Sequence, residues 1–211
     1  MAAPFDLCVI TSRSARFGRG HLDVAQAALD GGCRFLQLRD KELSSRALLD
    51  LGRQMRQLCR EYQAVFVVND RLDIAFAAEA DGVHLGQDDL PIAEARRLLG
   101  PKAIVGASAS TAEAARRAEA EGASYLGVGP VYATASKDNA GAAIGLSPIS
   151  DIKANISLPV LAIGGINRDN MSAVIGAGAD GVAVISAVSE AEDMVSATAG
   201  LIEAIRAARK L

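Results

Sequence analysis

Tryptophan is absent, histidine occurs only twice, and aromatic residues make up 4% of the 211-residue chain. With so little aromatic bulk the core has to be assembled from Ala, Val, Ile and Leu, a composition that suits parallel strands buried on both faces. Two histidines exclude a multi-histidine metal cage. Cys8, Cys33 and Cys59 are odd in number, far apart and without a Cys-x-x-Cys pair, which points to buried thiols in a reducing cytoplasm. No run approaches the roughly 18 consecutive apolar residues that span a bilayer, and Met1 to Phe5 lacks the basic start of a secretory signal, so no membrane association is expected. The formal net charge is −3 and there is no long Lys/Arg cluster. Nucleic acid is therefore excluded as a partner and small molecules are expected. A Gly-x-Ser-x-Gly elbow is missing too, as is the Gly-x-Gly-x-x-Gly fingerprint: Arg16-Phe17-Gly18-Arg19-Gly20 reads as a loop.

What is present is an alternation of two periods. Short apolar runs at 7–11, 34–38, 65–69, 82–85, 103–106, 125–128, 160–163 and 181–185 are bounded by Gly, Pro or charge and read as eight strands. Between most of them lie helical patterns, at 21–30, 44–62, 91–99, 111–121, 167–177 and 190–209. Thr111 with Glu113 offers a cap, Pro91 suits a first helical turn, and Gly122 and Gly178 suit helix ends. Strand and helix alternating without a hairpin signal predict a parallel α/β architecture, and its closure as a (β/α)8 TIM barrel fits a length near the roughly 200–250 residues of that fold. An open doubly wound sheet is the alternative. No linker divides the chain, so one domain over 1–211 is expected. The Ala/Gly-rich stretch 138–145 is the candidate lid.

The strand ends collect polar groups. Gln37-Leu38-Arg39-Asp40-Lys41 places two cations beyond the second strand, and their alternation lets Arg39 and Lys41 lean over the rim while Asp40 faces elsewhere. A guanidinium clamps phosphate oxygens bidentately and Lys adds a point charge; the alternative is a surface cluster in which Asp40, Lys41 and Glu42 neutralise one another. Asp70 follows the third strand and Asp89 the fourth, and adjacent strand ends could bring both to one hard cation such as Mg²⁺. Singly, Asp70 could equally cap a helix, and Asp88 and Asp89 could be solvated. Asn69 and Ser108 can donate to phosphate. Beyond the sixth strand, Thr134, Ser136 and Lys137 follow Gly127-Val128-Gly129-Pro130, a loop able to fold over an anion. Gly164-Gly165 and Ile185-Ser186 end the seventh and eighth runs, where barrels often bind phosphate through backbone N–H groups. His84 reads as a packed, hydrogen-bonding residue rather than a general base, and His21 as an ordinary helix-entry residue.

Gln37-Leu38-Arg39-Asp40-Lys41, Val68-Asn69-Asp70-Arg71, Gly82-Val83-His84-Leu85-Gly86-Gln87-Asp88-Asp89, the stretch from Gly129 to Lys137, and Ala162-Ile163-Gly164-Gly165-Ile166 together resemble the thiamine-phosphate synthase family, in order and over nearly the whole chain. The resemblance implies a TIM barrel that joins a hydroxymethylpyrimidine diphosphate to a thiazole phosphate, releasing pyrophosphate, with Mg²⁺. It implies that Asp70 and Asp89 bind the metal, that Arg39, Lys41, Asn69, Ser108 and Lys137 hold the diphosphate and assist its departure, and that Gln37 contacts the pyrimidine, with His84 lining that side. Thr134 and Ser136, with backbone N–H groups at Gly165, Ile185 and Ser186, would hold the thiazole phosphate. Two departures stand out: Ser136 replaces the family's second threonine, and the first strand lacks the family's aromatic and terminal aspartate. The related thiazole tautomerase and a non-catalytic sensor of thiamine-type phosphates are the alternatives; the retained Asp70, Asp89, Arg39 and Lys41 argue against the tautomerase. Ala-rich helical faces would suit a homodimer.

Overall fold

The computed structural model describes residues 5–136 and 141–210. Eight parallel strands close into a barrel in sequence order: β1 (Leu7–Thr11), β2 (Phe35–Leu38), β3 (Val65–Asn69), β4 (Gly82–Leu85), β5 (Ile104–Ala109), β6 (Tyr125–Val128), β7 (Val160–Ile163) and β8 (Gly181–Val184), with β8 pairing back to β1. The helices are α1 (His21–Asp30), α2 (Ser45–Glu61), α3 (Leu72–Ala77), α4 (Ile92–Leu99), α5 (Ala112–Ala120), α6 (Ser147–Lys153), α7 (Met171–Gly176), α8 (Ser186–Ser189) and α9 (Met194–Ala208). This is the expected (β/α)8 barrel. Helices α3 and α6, of six and seven residues, were missed because a single buried pair, Ile74-Ala75 or Ile149 with Ile152, is too little to establish a helical period. The last long helix starts at Met194 rather than near residue 190 because Asp193 caps it, accepting from Ser196 N–H at 3.0 Å.

Two apolar layers hold the barrel. The larger lies between sheet and helices and is built, as the composition predicts, from aliphatic residues: α2 buries Leu48, Gly52, Met55 and Cys59 at spacings of three and four against β2 and β3. The smaller fills the barrel interior with Cys8, Ile10, Phe35, Val67, Tyr125, Leu161 and Ala183. Three of the eight aromatics meet here: Phe5, Phe35 and Tyr125 stand pairwise at 5.3–5.5 Å between ring centroids. Room for them is made by glycine. Gly106 lies opposite Tyr125 in register, and a Cβ there would sit 2.2 Å from the phenol ring.

Inward positions alternate along each strand, so Gln37, Asn69, His84 and Ser108 all belong to the interior face near the carboxyl ends of β2 to β5. That end of the barrel is where this fold carries its functional loops.

Candidate active site

Strand β5 runs on to Ala109, so Ser108 is fixed in the sheet rather than on the loop beyond it. Its Oγ is 3.1 Å from His84 Nε2, and His84 Nδ1 is 2.9 Å from the Tyr125 hydroxyl. Burial raises the Tyr125 hydroxyl well above its ordinary value, so the phenol keeps its proton. His84 therefore bridges two hydroxyls, with one ring nitrogen toward Tyr125 and the other toward Ser108. His84 is thus the packed, hydrogen-bonding residue the sequence predicts. Replacing Tyr125 by Phe removes one buried hydrogen-bond partner from His84 and is expected to cost about 1–3 kcal/mol. A lower urea midpoint at unchanged slope is the expected reading, and an unaltered midpoint would contradict it.

Gln37 is buried beside these groups, within interacting reach of Tyr125, and its Oε1 has no hydrogen-bond partner among the described residues. A buried acceptor left open is costly unless something else fills it.

The third and fourth strand ends bring the two carboxylates together. Asp70 adopts φ +60°, a left-handed conformation that Asp tolerates better than most residues, and its N–H donates to the His84 carbonyl at 2.8 Å. Asp89 is half-buried and accepts from Gly86 N–H at 2.7 Å, whereas Asp88 is exposed. Burial, together with hydrogen-bonding contact and repulsion from Asp89, pushes Asp70 up to about 6, although Lys41 and Arg39 pull the other way. Lys41 Nζ is 3.6 Å from Asp70 Oδ2. Paired carboxylates that resist sharing negative charge offer hard oxygen donors to a divalent cation. Among the described residues no three His, Cys, Asp or Glu side chains cluster as a metal cage.

On the β5–β8 side a cavity of about 930 Å³ opens, lined by Ser108, Thr134, Ser136, Gly165, Ile185 and Ser186 among others. Ser136 Oγ lies 3.1 Å from Ser186 Oγ, and Thr134 Oγ1 accepts from Ser136 N–H at 3.2 Å, so hydroxyls from two distant loops share one wall. Ser186 opens the four-residue α8. Gly127 makes room beside His84: an added Cβ would stand 3.1 Å from His84 Cε1. Lys137 and residues 138–140 of the candidate lid lie outside the described residues. Beyond them, Ile144 and Gly145 donate to the carbonyls of Pro130 and Val131 at 2.8 and 3.1 Å.

Two features escaped sequence reasoning. Arg13, beyond β1, lines the cavity and pairs with Asp40 at 3.1 Å, so Asp40 does not neutralise Lys41. His21 is not an ordinary helix-entry residue, because its imidazole is buried against Thr11 and Asp40. No short motif announces either contact, since the partners are ten to twenty-seven positions apart in the chain.

The profile of a family described as thiamine monophosphate synthase matches residues 7–188. A protein of Moorella thermoacetica described as thiamine-phosphate synthase is 52% identical over 205 residues, covering 97% of this chain and 98% of that one. One of Methanoculleus marisnigri with the same description is 49% identical, with 97% of each chain covered. The solved thiamine phosphate pyrophosphorylase of Pyrococcus furiosus superposes with a TM-score of 0.89 at 42% identity over 97% of both chains. With a matching profile over most of its length and relatives about half identical end to end, this chain belongs to the thiamine monophosphate synthase family.

Proposed function

We propose that the chain is a Mg²⁺-dependent transferase that joins 4-amino-2-methyl-5-hydroxymethylpyrimidine diphosphate to the ring nitrogen of a thiazole phosphate, forming thiamine phosphate and pyrophosphate. The observation that supports this reading is the grouping of polar side chains into two sets around one barrel mouth. Cations and paired carboxylates stand at the ends of β2 to β4, and hydroxyls with loop backbone stand beyond β6 to β8. Ser108 joins the two sets.

In this assignment Arg39, Lys41, Asn69 and Ser108 hold the diphosphate, with Lys137 joining them. The open Gln37 acceptor takes the amino group of the pyrimidine, and His84 lines that ring while holding Ser108 in place. Thr134, Ser136 and the backbone N–H groups of Gly165, Ile185 and Ser186 take the thiazole phosphate. Asp70 and Asp89 hold the metal, which supplies positive charge to the departing pyrophosphate.

Bond breaking at the pyrimidine methylene sends both C–O electrons to the diphosphate while the aminopyrimidine delocalises the positive charge left behind. The fork of Arg39 and the ammonium of Lys41 meet the charge where it grows, and the Ser108 hydroxyl donates to it. Thr134 and Ser136, by fixing the thiazole phosphate, aim the ring nitrogen at the methylene carbon, so positioning does the remaining work. We place the reaction in the cytoplasm, a reading supported by burial of all three cysteines.

The test combines purified protein, both precursors and Mg²⁺. Equimolar thiamine phosphate and pyrophosphate, abolished by chelation, are expected. Absence of product with both substrates and metal supplied would refute the reading.

A further inference from the structure

We propose that His21 is a positioning residue for the diphosphate half of the reaction: through Asp40 it fixes the loop between β2 and α2 that presents Arg39 and Lys41. The inference rests on the assignment of those two cations to the diphosphate.

The His21 and Asp40 side chains are 3% and 4% exposed. Nε2 of the imidazole lies 3.0 Å from Asp40 Oδ2, and Nδ1 lies 2.9 Å from Thr11 Oγ1 at the end of β1. The Thr11 hydroxyl is in turn 3.4 Å from the Gln37 carbonyl, one position before the end of β2. A ring anchored at both nitrogens has one orientation. Because a carboxylate only accepts, Nε2 carries the proton it shares with Asp40.

Asp40 is held on every side. Oδ1 accepts from the Glu42 and Leu43 N–H groups, each at 2.8 Å, which folds the loop back on itself ahead of the Ser44 cap of α2. Oδ2 takes His21 and the Arg13 guanidinium at 3.1 Å. Burial would raise this carboxyl, but the hydrogen bonds from His21 and the loop N–H groups, with the charge of Arg13, hold it below its ordinary value.

With Asp40 drawn toward α1, Lys41 reaches Asp70 at 3.6 Å and the charge of Arg39 is felt at the same carboxyl. Arg13 alone cannot supply this anchor, because its side chain is 50% exposed and is shared with Glu42. His21 is the buried contact that ties the loop to the barrel.

The test measures KM for each substrate in His21→Gln, His21→Asn and Arg39→Ala, with melting curves for all three. Gln can keep an N–H near the position of Nε2, whereas Asn reaches only as far as Nδ1. His21→Asn is expected to raise KM for the pyrimidine diphosphate about tenfold with the thiazole phosphate KM unchanged, and His21→Gln to restore most of that loss. Equal rises in both KM values, no rise in His21→Asn, or no rescue by Gln would overturn the proposal. Should His21→Asn not melt cooperatively, Asp40→Asn carries the test, with the same selective rise expected and its absence overturning the proposal. Arg39→Ala separates the two levels. A normal diphosphate KM there beside a raised one in His21→Asn dismisses the Arg39 assignment and keeps the His21 anchor; the reverse pattern removes His21 alone.

Discussion

Asp70→Asn is expected to lower kcat/KM by about 10²–10³-fold, the scale at which removal of one preorganised electrostatic contact acts on developing charge. Asn is the informative replacement, because it tolerates the left-handed backbone at φ +60° while losing the negative charge. The variant should melt no lower than the parent, since the substitution relieves the repulsion between Asp70 and Asp89. A pH series adds a second readout. Burial and Asp89 push the Asp70 carboxyl up to about 6 from an ordinary 3.8, so between those values the folded chain is expected to bind more protons than the unfolded one. Stability of the metal-free protein should therefore fall as pH rises through that window and level off above it. Asp70→Asn should flatten that dependence. Added Mg²⁺ should raise the parent's melting temperature more above the window than below it, and leave the variant's unmoved. Full activity in Asp70→Asn would remove Asp70 from the site.

Gly165→Ala is expected to raise KM for the thiazole phosphate by about 10–100-fold, because a left-handed backbone penalises an L side chain by about 1–2 kcal/mol and the surroundings leave it no space. Gly165 has φ +61°, and an added Cβ would stand 2.7 Å from the Ala133 carbonyl oxygen and 2.8 Å from Tyr132 Cβ. Relief requires a shift of the segment around Ala133, which leads into Thr134. The pyrimidine diphosphate KM should stay within about twofold, since that half of the mouth is built on other strands. Steady-state kinetics with each substrate varied in turn decides the matter, and an unchanged thiazole phosphate KM would contradict the assignment of this wall.

The barrel was legible because parallel strands buried on both faces form short apolar runs with abrupt polar ends: β1, β3, β4, β6 and β7 begin and end at the residues expected from sequence. Candidate site residues were legible for the same reason. A residue such as Asn69 or Asp70 directly after an apolar run has to lie at the carboxyl end of a strand, and closure of the barrel brings such ends to one mouth. What sequence could not supply is pairing across the chain. Tyr125 begins a four-residue apolar strand and looks like any core aromatic, yet its hydroxyl meets His84 Nδ1, 41 residues earlier. Nor does anything local to His21 indicate Asp40, nineteen positions on. The conformation of Asp70 was equally hidden, because a left-handed residue after a strand is imposed by the tertiary fold and needs no glycine when the residue is Asp. Ser108 was placed just past its strand because Gly106 looked like a terminus; Gly106 is instead a mid-strand position kept clear for the Tyr125 ring.

On the proposed reading, the paired carboxylates and the cations at the ends of β2 to β4 form one metal-dependent receptor for a diphosphate. Calorimetric titration of the protein with inorganic pyrophosphate, with and without Mg²⁺, addresses it without requiring turnover. Saturable binding that needs Mg²⁺ and disappears in Asp70→Asn is the predicted result; binding of equal strength with and without the metal, or undiminished in Asp70→Asn, would contradict it.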